Sequence, residues 1–154
     1  MVILGIDPGI AIVGYGIIEY KNNKFRVIDY GAVTTNANTP TDQRLALVYK
    51  GIDILIKKYD IDEVAIEELF FNKNVKTAIT VAQARGVIML ACTHNSKPIY
   101  EYTPLQVKQG VVGYGRAQKM QVQQMVTSLL KLKEIPKPDD TADALAIAVC
   151  HAHA

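Results

Sequence analysis

Nine residues at the start of the chain, Met1–Val2–Ile3–Leu4–Gly5–Ile6–Asp7–Pro8–Gly9, limit its folding more than any other stretch. The apolar run is too short for a core helix and suits a buried strand, which Pro8 and Gly9 then stop. Asp7 is thereby delivered at the far end of a strand that drives into the core. An Asp before Pro-Gly is also a common turn former that accepts from the next backbone N–H groups, and the stretch alone leaves the two readings level. Three further carboxylates, spaced so that a fold built on this strand brings them to Asp7, favour a site.

After Gly9, Ile10–Tyr20 is rich in Ile, Val and Tyr, with Gly14 and Gly16 suiting a strand that passes close to other backbone. Lys21-Asn22-Asn23-Lys24 is turn chemistry and Phe25–Thr34 returns as a third strand, so the first three strands predict an antiparallel meander. Thr39-Pro40-Thr41-Asp42 predicts a helix capped by Thr39, with Pro at its first position and an acid three residues after the cap. Its apolar stripe is Leu45, Val48, Ile52, Leu55, Ile56 and Tyr59. Val64-Ala65-Ile66 is then a short buried strand ending in Glu67-Glu68. A strand–helix–strand crossover makes it parallel to an earlier strand, most simply the first, with both acidic ends on one edge. Ligands of open α/β sheets gather at that edge.

Val75–Cys92 reads as a helix apolar nearly all round, so it covers a second surface besides the sheet. That surface is either later helices of the same chain or, favoured by small residues such as Ala82 and Gly86, a second copy. Pro98–Tyr102 is a fifth strand, and Thr103-Pro104 opens a short helix that carries Lys108. Gly110–Gly115 reads as a backbone-exposing loop without phosphate-loop spacing. Arg116–Lys131 reads as an amphipathic helix with Val122, Met125, Val126, Leu129 and Leu130 inside and Lys119 facing out. Lys131–Pro138 links it to a last helix that begins at Asp139-Asp140 and whose end, His151-Ala152-His153-Ala154, reads as frayed.

With 154 residues, 49% hydrophobic and 21% charged, the chain suits one globular domain, residues 1–154. Cys92 and Cys150 lie in apolar helical stretches without ligand spacing and read as buried thiols in a reducing compartment. No apolar run approaches the ~18 residues of a membrane span and no basic leader precedes the first strand, so the cytoplasm is the expected location. Charge is divided sharply along the sequence. Residues 1–68 carry 7 Lys/Arg against 10 Asp/Glu, residues 69–138 carry 10 against 2, and residues 139–154 carry none against 3. A basic middle between two acidic parts suits a polyanion held against a metal site, although scattered lysines are commonly just a solvated face.

Asp140 and Asp143, three apart at a helix start, share one face of the first turn. Capping offers a plain alternative, because Asp139 or Asp140 at the N-cap and Asp143 in the first turn suit the free N–H groups and the helix dipole. The Ala-Leu-Ala-Ile-Ala-Val run after Asp143 allows this helix to lie tight on the sheet, aiming its acids at the strand ends. Asp7, Glu67, Asp140 and Asp143 converging would repel one another without cations, and hard oxygen donors suit Mg²⁺ or Mn²⁺.

Gly5-Ile6-Asp7-Pro8-Gly9 with Gly14-Tyr15-Gly16, Ala65–Phe70, Gln83-Ala84-Arg85-Gly86, Gln106-Val107-Lys108-Gln109, Val112–Gly115 and Ala142–Ala146 together resemble the RuvC family of Holliday junction resolvases. The motifs run in order over nearly the whole chain. The resemblance implies an RNase H-like α/β fold: a five-stranded mixed sheet, three antiparallel strands plus two parallel ones, flanked by helices. It implies a homodimeric, divalent-metal endodeoxyribonuclease that nicks two opposed strands of a four-way DNA junction, with branch-migration motor proteins as partners. By the same resemblance, Asp7, Glu67, Asp140 and Asp143 match the catalytic, metal-binding acids. Lys108 and Lys119 match basic residues near the scissile phosphate, and Phe70 matches an aromatic that stacks on a base at the crossover. Lys73 and Arg116 join the lysines as expected DNA contacts. The expected chemistry is hydrolysis with two metal ions, leaving 5′-phosphate and 3′-hydroxyl ends. Three rivals stand beside it: an actin-like ATPase, for which the chain has no room for a second domain, a same-fold nuclease acting on ribosomal RNA precursors, and a junction-binding protein whose acids are only caps and turns.

Overall fold

The first strand becomes the centre of the sheet because both its faces are apolar. The computed structural model describes residues 1–68 and 75–154. Its elements are β1 (Val2–Asp7), β2 (Ile12–Lys21), β3 (Lys24–Thr34), α1 (Thr41–Lys58), β4 (Glu63–Glu67), α2 (Val75–His94), β5 (Ile99–Tyr102), α3 (Pro104–Val112), α4 (Lys119–Leu129) and α5 (Asp139–His153). The strand order is β3-β2-β1-β4-β5. β1 pairs antiparallel with β2 and parallel with β4, and β4 pairs parallel with β5, giving the predicted mixed sheet. The β2–β3 hairpin turns at Asn22 and Asn23, both at positive φ (53° and 61°), as a tight hairpin turn requires.

The sheet divides the core in two. Leu4, Ile6, Val64 and Ile66 point into the layer under α1 and α2, with Val48, Ile52, Leu55, Ile56 and Ile88. Ile3, Ala65 and Ile18 point to the opposite layer, where α5 lies with α3 and α4 outside it. Three glycines hold α5 close. A Cβ on Gly5 would strike the Ala144 carbonyl oxygen and lie 2.9 Å from Ala148 Cβ, and one on Gly16 would lie 2.7 Å from Leu145 Cγ. One on Gly14 would strike the Asp140 carbonyl. The small residues of α5 and the side-chain-free strip of β1 and β2 thus lie against each other.

Several boundaries differ from the sequence reading. Pro40, not Thr39, occupies the cap of α1, and no side chain bonds that end. Gly110 belongs to α3, where a Cβ would lie 2.8 Å from Cys150 Sγ; the loop begins only at Gly113, whose φ of 100° makes it the helix's left-handed cap. The helix predicted to open at Thr103-Pro104 is present, with Thr103 capping it in a capping box with Gln106. α4 starts at Lys119 because Gln118 and Gln121 exchange capping bonds, leaving Arg116 outside it, and Met125 is exposed instead of inside. The end of α5 is not frayed. His151 is buried, bonded to Tyr102 Oη at 2.5 Å and Glu63 Oε1 at 2.8 Å, and His153 Nδ1 lies 2.8 Å from the Gly110 carbonyl.

Cys92 and Cys150 are buried free thiols. Among the described residues α2 packs chiefly on α1 and β5, and Ile79 and Leu90 are left about half exposed. Among the described residues, no helix is long and apolar enough to cross a membrane.

Candidate active site

Alternation along a strand decides which way the acids face. Asp7 follows Ile3 and Gly5 on the α5 side of β1, and Glu67 follows Glu63 and Ala65 on the same side of β4. The parallel register pairs Ile6 with Ile66, so Asp7 and Glu67 emerge side by side at one sheet edge. The end of β4 is fastened from both sides. Glu68 donates its N–H to the Tyr102 carbonyl at 2.8 Å. From α2, Arg85 donates Nε–H to the Glu67 carbonyl at 3.2 Å and pairs with Glu101 at 2.8 Å.

The close seat of α5 brings the other two acids. Asp140 lies over Gly14, the residue paired with Asp7 across β1 and β2. Asp143 follows one turn later and lines a cleft of about 210 Å³ with Glu67, Pro104, Val107, Lys108, Lys119 and Val122. The capping alternative for these aspartates is not what the structure shows: Pro138 occupies the cap of α5 and no side chain bonds it.

Electrostatics show how closely the acids are gathered. Burial, then the charges of Glu67, Asp143 and Asp140, push the Asp7 carboxyl up to about 9, and its hydrogen bond to Glu67 adds to the rise. Glu67 is raised by burial, partly relieved by the bond it accepts from Asp7. Asp143 is raised by burial too, partly offset by Lys119. Protonated Asp7 therefore donates to Glu67, and an ammonium neutralises Asp143. Arranged in this way, no three His, Cys, Asp or Glu side chains among the described residues form a ready-made ligand cluster.

Lys119 faces out as the amphipathic pattern predicts, its side chain 58% exposed. Its Nζ nevertheless reaches the acids at the start of α5, 3.3 Å from Asp139 Oδ2 and 3.6 Å from Asp143 Oδ2. Those two carboxylates hold its proton against the opposing effect of partial burial. Lys108 lines the same cleft from α3. Arg116 is exposed between α3 and α4. Phe70 and Lys73 lie outside the described residues. Sequence reasoning missed two contributors. Asp139 reads in the sequence only as a cap candidate, and Arg85 only as part of the Gln83–Gly86 motif, with no role of its own. A charge in the middle of such an apolar helix is the signal for Arg85, because burying it calls for a partner. For Asp139 no local signal exists.

Comparison with known proteins agrees with this geometry. The family profile described as crossover junction endodeoxyribonuclease RuvC matches residues 3–151. A crossover junction endodeoxyribonuclease RuvC of Clostridioides difficile is 79% identical over 99% of this chain and 90% of the relative. The Thermus thermophilus RuvC structure superposes with a TM-score of 0.93 at 36% identity, covering 99% of this chain and 94% of the other. The T. thermophilus RuvC in complex with Holliday junction substrate gives 0.91 at 34% identity, with the same coverage. On a match that spans the sheet, α5 and all four acids, the chain belongs to the RuvC family.

Proposed function

We propose that this chain resolves four-way DNA junctions by paired symmetric nicks in opposed strands, in recombination and DNA repair, and that residues 1–154 act as one nuclease domain. The observation that carries the reading is the convergence of Asp7 and Glu67, at neighbouring parallel strand ends, with Asp140 and Asp143 on the helix seated over them. Membership of the family supports it, as does the likeness to a relative solved with Holliday junction substrate.

The donor set fits hard divalent cations. Four carboxylates share a partly buried edge, and among the described residues their mutual repulsion is eased by a proton and by Lys119. Asp7, Glu67, Asp140 and Asp143 would hold the ions. When bound, a pair of Mg²⁺ ions, or Mn²⁺ in their place, supplies an activated water and charge stabilisation for the leaving 3′ oxygen. For both carboxylates to serve as ligands, Asp7 would release its proton to solvent and its bond to Glu67 would open. Lys119 and Lys108, on the cleft wall, offset charge growing on the non-bridging phosphate oxygens, leaving 5′-phosphate and 3′-hydroxyl ends. Phosphate contacts from Lys73, Lys108, Arg116 and Lys119 supply salt-sensitive binding, and Phe70 stacks on a base at the crossover.

A homodimer completes the reading. Ile79 and Leu90 on α2, with Leu47 and Ile54 on α1, are apolar and about half exposed, and a second copy related by a two-fold axis presents two sites to a two-fold junction. Branch-migration motor proteins are the partners this role implies, in the cytoplasm. The test is incubation of a four-way junction, each strand labelled in turn, with Mg²⁺, Mn²⁺ or chelator, beside linear duplex and an RNA–DNA hybrid. The expected result is paired nicks on the junction alone and only with metal; binding without cutting under every metal condition would favour a structural junction binder.

A further inference from the structure

We propose that Asp139 is a positioning residue that keeps Lys119 at the cleft when Asp143 is taken by a divalent cation. This rests on the reading of the four acids as metal ligands. One ammonium is shared between an acid of that set and an acid outside it: Lys119 Nζ is 3.3 Å from Asp139 Oδ2 and 3.6 Å from Asp143 Oδ2. Asp139 is itself held. Gln123, 6% exposed, donates Nε2–H to Asp139 Oδ1 at 3.4 Å. Lys119 and Gln123 are four residues apart on α4, so one face of that helix grips both oxygens of one carboxylate. Gln123 lies beside Val122 and Val126, among the buried side chains of that helix, where an unpartnered amide is costly. The described side-chain partners of Asp139 both come from α4.

Lys119 and a cation compete for Asp143. With Asp139 present, the ammonium that yields Asp143 keeps a counter-charge at the cleft mouth and stays within reach of a phosphate bound there. With an uncharged residue at position 139, Asp143 becomes the single carboxylate partner of Lys119 among the described residues. The lysine then opposes cation binding more strongly and, once displaced, is left to solvent. Asp139 thus acts on metal binding and on cutting through Lys119, not by its own charge.

A double-mutant cycle separates those two routes. The parent, Asp139→Asn, Lys119→Ala and the double variant are titrated with Mg²⁺ by calorimetry without DNA, then assayed for junction cleavage in single turnover. Asp139→Asn is expected to weaken Mg²⁺ binding about two- to fivefold, the range an exposed ion pair supports. In the Lys119→Ala background the same change should have no effect on Mg²⁺ affinity, and the double variant should cut no more slowly than Lys119→Ala. An equal loss in both backgrounds, or none in either, overturns the proposal. If the parent cuts junctions and the cycle is additive, only this inference fails; if the parent neither binds Mg²⁺ nor cuts, the functional reading fails with it.

Discussion

Asp7→Asn should make the metal-free protein more stable at neutral and alkaline pH, although it removes the residue most central to the site. The folded chain raises the Asp7 carboxyl from an ordinary 3.8 to about 9, by burial first and then by Glu67, Asp143 and Asp140. A carboxyl with a raised folded pKa binds its proton more tightly in the folded state, so folding is favoured at low pH and penalised as pH rises from about 4 to about 9. At pH 7 the rise spans roughly 3 pH units, and at about 1.4 kcal/mol per unit the penalty has a ceiling of about 4 kcal/mol. Coupling to Glu67 and partial solvent access bring the expected value to about 2–3 kcal/mol. An amide cannot ionise, and its N–H₂ still donates to Glu67. Urea denaturation in chelator at pH 5, 7 and 8.5 measures the effect. The gain of Asp7→Asn over the parent should be small at pH 5 and grow with pH. Added Mg²⁺ should stabilise the parent strongly and the variant weakly. A variant no more stable than the parent at pH 8.5 would show that the four acids are not packed against one another as described.

Further perturbations test the supports of the site. Gly5→Ala drives a Cβ into the Ala144 carbonyl and should cost roughly 1–3 kcal/mol in urea melts. Its cutting rate should fall further than stability explains, because α5 carries Asp140 and Asp143 as it lifts. His151→Ala leaves Glu63 and Tyr102 without their shared partner and should cost about 2–4 kcal/mol, read by the same melts. Ile79→Glu on the open face of α2 should give a folded monomer in sedimentation and unpaired nicks on a junction. Asn23→Val, at φ 61°, should cost about 1–2 kcal/mol while Asn23→Gly is tolerated.

The acids at the strand ends were legible because they depend on local rules. A short apolar run ending in Asp7-Pro8 stops where it does in any fold, and a strand–helix–strand crossover leaves Val64–Ile66 one simple place beside β1. Gly14 and Gly16 announced a close backbone approach, and α5 is what approaches. The rest depends on tertiary contacts with no local signature. Lys119 lies exposed on the polar side of its own helix, and only the packing of α5 against α4 puts Asp139 and Asp143 within its reach. His151 looked like a helix end because its partners, Glu63 and Tyr102, are 88 and 49 residues away in sequence. The start of α4 was misplaced at Arg116 because a Gln118–Gln121 box lacks the Ser or Thr that marks a capping box in sequence.

The central claim is that Asp7, Glu67, Asp140 and Asp143 form one metal-dependent cutting site. Its most direct test compares Asp7→Asn, Glu67→Gln, Asp140→Asn and Asp143→Asn with the parent on a labelled four-way junction, with binding measured in Ca²⁺ and cutting in Mg²⁺. Each neutralised acid should bind the junction as the parent does and cut it at least about a hundredfold more slowly, a loss of some 2.7 kcal/mol or more in transition-state stabilisation. A variant at position 7 or 67 that cuts at the parental rate would contradict the account.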